Sequence, residues 1–282
     1  MQQKRKIIAP AGLENPLNVA VSSRDRSTLD MVAQAVKHQQ TLLAFQPVVI
    51  ARDHQRVGFY EGLIRVMDET GRVIPAKDFM PVVERAELGR EIDVVALNMG
   101  LRTLHDNQGV RLSINMSARS IGYQRWFQVL NRWLKKDSTL AERLILEITE
   151  SSAMDQPELV IDFMARLSRR GISFALDDFG SGYTALRYLK DFLFDVLKID
   201  SMYCHGIADD PDTQVLTQAM IHIAQHFDML VIAEGVERQA DVEMLVAMGV
   251  DCIQGYYFAA PMIRPGWLLG KHGGNAQAGM RA

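Results

Sequence analysis

Residues 172–178 read ISFALDD, and the alternation within them decides the fold. Ser173, Ala175 and Asp177 share one face of an extended chain, while Ile172, Phe174 and Leu176 share the other. Successive strand residues point to opposite sides. One side is therefore wholly apolar, suited to a layer of helices, and the other is small or polar and ends in carboxylates. The same parity recurs in two other runs. Ser113 and Asn115 oppose Leu112 and Ile114; Ile145, Glu147 and Thr149 oppose Leu144, Leu146 and Ile148. Such strands fit the wall of a β/α barrel, whose active site lies at the C-terminal strand ends.

Eight strand-like runs are expected, at 41–50, 56–66, 110–116, 143–149, 172–178, 195–200, 229–234 and 251–258. The polar link ARDHQ joins the first two as an antiparallel hairpin. Helical spacing fills most of the later gaps, as in Ala76–His105, Pro157–Arg170, Asp212–Phe227 and Glu237–Met248, so the later strands should be parallel. Gly171 and Gly249 stand where helices end. A further helix is expected over Asp25–Gln40, with Ser27 as its N-cap. The fold class is α/β, a TIM-like (β/α)8 barrel with an antiparallel first strand; an open doubly wound sheet is the alternative. The expected organisation is an arm or linker over 1–26, a barrel domain over 27–270 and a flexible tail over 271–282.

The 282 residues suit one barrel, and 48% apolar content can fill its core. A net charge of −3 provides no footprint for polymeric nucleic acid or an anionic membrane. Cys204 and Cys252 lack CxxC spacing, so reduced thiols in a cytoplasmic protein are expected. The basic N-terminus has no apolar core of a secretory signal, and no apolar run reaches the roughly 20 residues of a membrane helix.

Five acids end apolar runs: Glu61 in VGFYEGL, Glu147 in LILEITE, Asp177 and Asp178 in FALDDFG, and Glu234 in LVIAEGV. Asn115, Lys198 and Gln254 occupy similar places. One strand-end acid is as readily a helix cap or an arginine partner. Five converging acids with one lysine would repel one another without compensation unless cations joined them. The excess of about four negative charges matches two divalent ions. With no cysteine or histidine in the set, hard cations such as Mg²⁺ or Mn²⁺ fit better than zinc. Two such ions roughly 3.5–4 Å apart can clamp a phosphodiester.

Eight ordered motifs carry a resemblance to a known family. They are FQP (Phe45–Pro47), ExLxR (Glu61, Leu63, Arg65), NMSAR (Asn115–Arg119), LEITES (Leu146–Ser151), DDFGSGY (Asp177–Tyr183), LKID (Leu197–Asp200), AEGVE (Ala233–Glu237) and QGYYF (Gln254–Phe258). From about Leu29 to Met262 the chain resembles the EAL-domain family, bacterial phosphodiesterases that hydrolyse cyclic di-GMP to linear pGpG. The resemblance implies that Glu61, Asn115, Glu147 and Asp177 hold one metal, and that Asp177, Asp178 and Glu234 surround a second. It places Lys198 and Gln254 near the attacking water and scissile phosphate. It makes Glu61, Asp178, Lys198 and Gln254 the catalytic set. Gln46, Leu63, Arg65, Asp200 and Glu237 become substrate contacts or supports. The segment 180–186 is implied to link metal binding to a homodimer interface.

Two positions depart from the family pattern: Gly62 stands where alanine is usual, and Arg238 where threonine is common. Gly62 should point to the helix layer. An alanine there would stabilise the strand by about 0.5–1 kcal/mol, unless a neighbour already fills the space, where overpacking costs about 1–3 kcal/mol. The alternative functions are a catalytically weak barrel that senses cyclic di-GMP or docks a protein, and a phosphodiesterase of another substrate. No sensor domain is evident, so a regulatory protein partner or a sensor on a longer chain is expected.

Overall fold

The computed structural model describes residues 16–182 and 186–269. Nine strands form one sheet: β1 (Thr41–Ile50), β2 (Asp53–Met67), β3 (Val73–Pro75), β4 (Leu112–Asn115), β5 (Leu144–Thr149), β6 (Ser173–Phe179), β7 (Val196–Ile199), β8 (Leu230–Ala233) and β9 (Cys252–Ile253). The order β1-β9-β8-β7-β6-β5-β4-β2, together with a β1–β2 pairing, closes eight of them into a barrel. β1 is antiparallel to both neighbours, and the remaining ring pairs are parallel. The eight expected runs are all present, and the barrel replaces the open-sheet alternative. β3 is an addition: a short strand hydrogen-bonded along Arg65–Met67, outside the ring.

Parity sorts the side chains as the alternation requires. Inside the barrel, Val48, Phe59, Ile145, Ala175, Val196, Ile232 and Cys252 form a compact apolar plug. The opposite faces of the same strands, including Leu112, Ile114, Leu144, Leu146, Phe174, Leu176, Leu197 and Val231, join the larger core beneath the helices. Strands buried on both faces must read as apolar runs, which is why the runs were visible in the sequence. The plug fills the bottom of the barrel, and only polar side chains remain for the layer above it.

The surrounding helices are longer or shorter than expected in places. The first spans Pro16–Lys37. It already covers Pro16, the first described residue, so Ser27 lies within the helix and does not cap it. The expected helix Ala76–His105 is three pieces, a 3₁₀ turn Ala76–Asp78, a short helix Met80–Val83 and a long helix Glu87–Asp106. Pro157–Ser168, Pro211–His226 and Gln239–Met248 match expectation within a few residues, and Gly249 ends the last with φ +93°. The helix Gln124–Lys136 fills the gap between β4 and β5. Residues 1–15 of the expected arm, the tail at 271–282 and Tyr183 lie outside the described residues. No helix among the described residues is long and apolar enough to cross a membrane.

Candidate metal centre and active site

One polar side chain from nearly every strand end forms a ring on top of the apolar plug. Lys198, 1% exposed, is its hub. Its Nζ lies 2.7 Å from Glu234 Oε1, 2.9 Å from Glu147 Oε2, 2.9 Å from Asp177 Oδ1 and 3.7 Å from Glu61 Oε2. Glu61 is bracketed by two amides: Asn115 Nδ2 donates to Oε1 at 2.8 Å, and Gln254 Nε2 donates to Oε2 at 2.6 Å. Gln254 Nε2 also reaches Gln46 Oε1 at 3.1 Å, and Gln46 Nε2 donates to the Ala259 carbonyl at 3.2 Å. The structure thus brings Glu61, Asn115, Glu147, Asp177, Lys198, Glu234, Gln254 and Gln46 together as the sequence indicated.

Asp178 joins them by breaking the parity. In a regular strand it would follow Asp177 onto the helix side. Instead, the β6–β7 register shifts between Leu176 and Phe179, and Asp178 takes φ +55°. A left-handed backbone at a non-glycine residue is uncommon and marks a site where local geometry is held by its surroundings. The turn is pinned by Ser181, whose N–H and Oγ both donate to the Asp178 carbonyl, at 3.1 and 2.8 Å. As a result, carboxylate oxygens of Asp177, Asp178 and Glu234 lie within 4.8 Å of one another.

The electrostatics follow from burial and crowding. Burial opposes the charge on Lys198, but Asp177, Glu147, Glu234 and Glu61 outweigh it and hold the ammonium well above its ordinary range. Burial also works against ionised Glu61, yet Lys198 and the two amides keep it below the usual carboxylate value. Glu147 is pushed up to about 8 by burial, with Glu61 and Asp177 adding repulsion against the pull of Lys198. Asp178 is pushed up to about 6 by burial and then by Asp177 and Asp200. Glu234 is raised well above its ordinary value, mainly by burial. One lysine therefore does not satisfy this ring.

The donor set fits hard divalent cations. Every candidate ligand is a carboxylate or an amide, and Glu147 Oε1 and Gln254 Oε1 are buried oxygens without a hydrogen-bond partner. A prediction follows for the metal-free protein. A carboxyl that keeps its proton to higher pH when folded contributes stability that is complete below its unfolded value and is lost as pH rises through its folded value. Glu147 spans 4.5 to about 8, and Asp178 spans 3.8 to about 6. The chelated protein should therefore lose stability as pH rises from about 4.5 to 8, whereas Glu61 acts in the opposite sense only below about 4.5. Thermal midpoints in EDTA across this window test it; a midpoint that climbs toward pH 8 contradicts it. Saturating Mn²⁺ should reverse the trend, because metal and protons compete for the same oxygens.

The other expected residues are less central. Two crevices flank the ring. The first, about 380 Å³, is lined by Gln46, Leu63, His205, Glu237, Gln254 and Tyr256 among others. The second, about 450 Å³, runs from Asn115 and Asp178 past Leu63 and Met80 to Asp93. Leu63 borders both, and Glu237 borders the first. Arg65 follows on the same face of β2 but lines neither crevice; its guanidinium donates to the Ile64 carbonyl at 3.0 Å. Asp200 caps the turn Ser201–Cys204 by accepting from Met202 N–H at 2.8 Å, and it lines neither crevice. Arg238 ties the loop after β8 to the loop after β7. It bonds Asp209 at 2.7 Å and Asp241 at 3.0 Å, and the buried Asp241 accepts from Gly206 and Ala208 N–H.

Two supporting acids escaped the sequence reading. Glu150, 1% exposed, accepts from Gly180 N–H at 2.9 Å, while Tyr203 Oη donates to the Gly180 carbonyl at 3.1 Å. These contacts hold the segment immediately after Asp178. Asp93, on the helix Glu87–Asp106, accepts from Ser117 N–H at 3.0 Å and Ser120 Oγ at 2.5 Å. It fixes the turn immediately after Asn115, and burial raises its carboxyl to about 7. Glu150 was visible inside LEITES but opens a helix and does not end a strand. Asp93 carried no local signal.

Known proteins are similar to this chain in sequence and fold. The EAL domain family model matches residues 29–261. The chain is 30% identical over 233 residues to the cyclic di-GMP phosphodiesterase PdeR of Escherichia coli, covering 81% of this chain and 35% of that protein. It is 29% identical over 234 residues to the bifunctional diguanylate cyclase/cyclic di-GMP phosphodiesterase MucR of Pseudomonas aeruginosa, covering 81% and 34%. It therefore spans about a third of the length of these relatives. The solved PaMucR phosphodiesterase in complex with c-di-GMP superposes with a TM-score of 0.73 at 28% identity, covering 84% of this chain and 97% of that one.

Proposed function

Because this chain belongs to the EAL domain family, we propose that it is a divalent-cation-dependent phosphodiesterase that opens cyclic di-GMP to linear pGpG. One observation carries the reading: the complete ring of Glu61, Asn115, Glu147, Asp177, Asp178 and Glu234 around Lys198, with buried oxygens left without partners. In this reading Glu61, Asn115, Glu147 and Asp177 hold one cation, and Asp177, Asp178 and Glu234 hold the other, with Asp177 shared. Two bound Mg²⁺ or Mn²⁺ ions would supply positive charge to the phosphodiester and acidify an attacking water.

The chain's own groups do the rest. Water adds at phosphorus and the bond to the departing 3′ oxygen breaks, so a cyclic diester becomes a linear one with a 5′ phosphate. Asp178, whose carboxylate lies beside those of Asp177 and Glu234, can accept the water's proton. Lys198 remains charged and faces the negative charge that grows on the phosphoryl oxygens. Gln254 and Asn115 orient Glu61 through both of its oxygens. Leu63, at the border of both crevices, offers an apolar surface to a base, and Gln46 and Glu237 offer polar contacts.

The same reading includes a homodimer through the surface beside Gly180. Tyr203 and Met220 stand against that glycine, and Met202, Val215 and Leu216 on the same two helices are exposed. The test of function is turnover of cyclic di-GMP with Mn²⁺ or Mg²⁺, resolved by chromatography. Metal-dependent pGpG is the expected product. Tight nucleotide binding with neither metal supporting turnover would instead make the chain a binding module.

A further inference from the structure

Gly62 and Gly100 are two notches filled by one side chain. The β2–β4 register pairs Gly62 with Ile114, which is 1% exposed. A Cβ added at Gly62 would stand 2.7 Å from Ile114 Cδ1 and 3.2 Å from the Ser113 carbonyl oxygen. A Cβ added at Gly100, on the helix Glu87–Asp106, would stand 2.7 Å from both Cδ1 and Cγ1 of Ile114. Neither glycine has a positive φ, so backbone geometry does not demand glycine at either position. Space does. The expected gain from alanine at position 62 is therefore replaced by overpacking.

The residues on either side of this contact belong to the ring. Glu61 precedes Gly62, Asn115 follows Ile114, and Asn115 Nδ2 donates to Glu61 Oε1 at 2.8 Å. Beyond Asn115 the chain is fixed again, because Asp93 holds Ser117 N–H and Ser120 Oγ from the same helix that carries Gly100. A displacement of Ile114 cannot be absorbed in the turn that follows. The Ser113 carbonyl oxygen, 3.2 Å from the added Cβ, belongs to the backbone, so rotating the Ile114 side chain alone does not make the room. Close-packed interiors transmit such a displacement to the backbone.

We propose that Gly62 is a positioning residue: by leaving room for Ile114 it keeps β2 against β4, and so sets the Glu61–Asn115 separation and thereby the affinity of the ring for a divalent cation. The inference deepens the metal reading above and rests on it. Its distinctive consequence is size coupling. A methyl added at position 62 should be harmful alone and harmless when Ile114 loses a methyl.

The experiment is calorimetric titration of Mn²⁺ into wild type, Gly62→Ala, Ile114→Val and the double variant, with metal-free thermal midpoints measured alongside. Gly62→Ala should bind Mn²⁺ about tenfold more weakly than wild type. Ile114→Val alone, and the double variant, should each stay within about threefold of wild type. If Gly62→Ala does not fold, the double variant must both fold and bind. A Gly62→Ala protein with a lowered midpoint but wild-type affinity would make the contact purely structural and overturn the proposal. A double variant no better than Gly62→Ala would overturn it as well. Wild type that binds no Mn²⁺ would remove the metal reading itself, which separates that failure from this one.

Discussion

Lys198→Met, stripped of metal by a chelator, is expected to lose about 3–5 kcal/mol of stability at pH near 8 and to regain most of it with Mn²⁺. The lysine is buried and lies within 4 Å of four carboxylates. Removing it leaves those charges both desolvated and mutually repelling, the costly way to break a buried ion pair. The carboxyls can escape by taking up protons, so the loss should shrink as pH falls toward 5. Divalent cations can take over the neutralising role, so Mn²⁺ should rescue the fold. Turnover should nonetheless stay down by about 10²–10³-fold, because the fixed charge that meets the developing phosphoryl anion is gone. Urea melts in EDTA and in Mn²⁺, at two pH values, measure all of this. A chelated Lys198→Met protein as stable as wild type would mean that the ring is not the strained anionic cluster its geometry describes.

Asp177→Asn should move stability the other way: the metal-free protein becomes more stable, while turnover falls by several orders of magnitude. Asp177 is the acid shared between the two proposed cation positions, so its loss removes a ligand from both. It also raises the carboxyls of Glu147 and Asp178 by repulsion. The amide keeps the shape and removes that repulsion, so both acids should ionise at lower pH and the pH-dependent loss of stability should narrow. Steady-state kinetics with Mn²⁺ and a thermal midpoint in EDTA, taken on the same preparation, separate the two effects. A full-rate Asp177→Asn enzyme would dismiss a shared-carboxylate metal site.

The reach of the sequence is clearest along β6. Alternation placed Ala175 in the plug and Asp177 in the ring above it, because a two-residue period needs no tertiary information. The same rule would have sent Asp178 to the helix side. Its inward turn depends on a register shift against β7 and a left-handed backbone, and both are decided by neighbouring chain segments. Asp178 was legible as an acid at the end of an apolar run and through the DDFGSGY motif, but its inward direction was not. Glu150 and Asp93 were missed for a related reason: each supports a loop that is distant in sequence, by 30 residues for Glu150 and Gly180 and by 24 for Asp93 and Ser117. Gly62 was visible as a departure, but the reason for it was not. Nothing local links positions 62, 100 and 114 until the barrel brings them into contact. The first helix was expected only from Asp25 because residues 16–24, which are helical, lack apolar periodicity.

The most direct measurement is an anomalous difference map from crystals soaked in Mn²⁺. Two peaks roughly 3.5–4 Å apart are expected inside the strand-end ring. One should lie toward Glu61, Asn115 and Glu147, the other toward Asp178 and Glu234, with Asp177 between them. An empty ring at saturating Mn²⁺, or a single ion bound outside it, would contradict a two-cation centre in this protein.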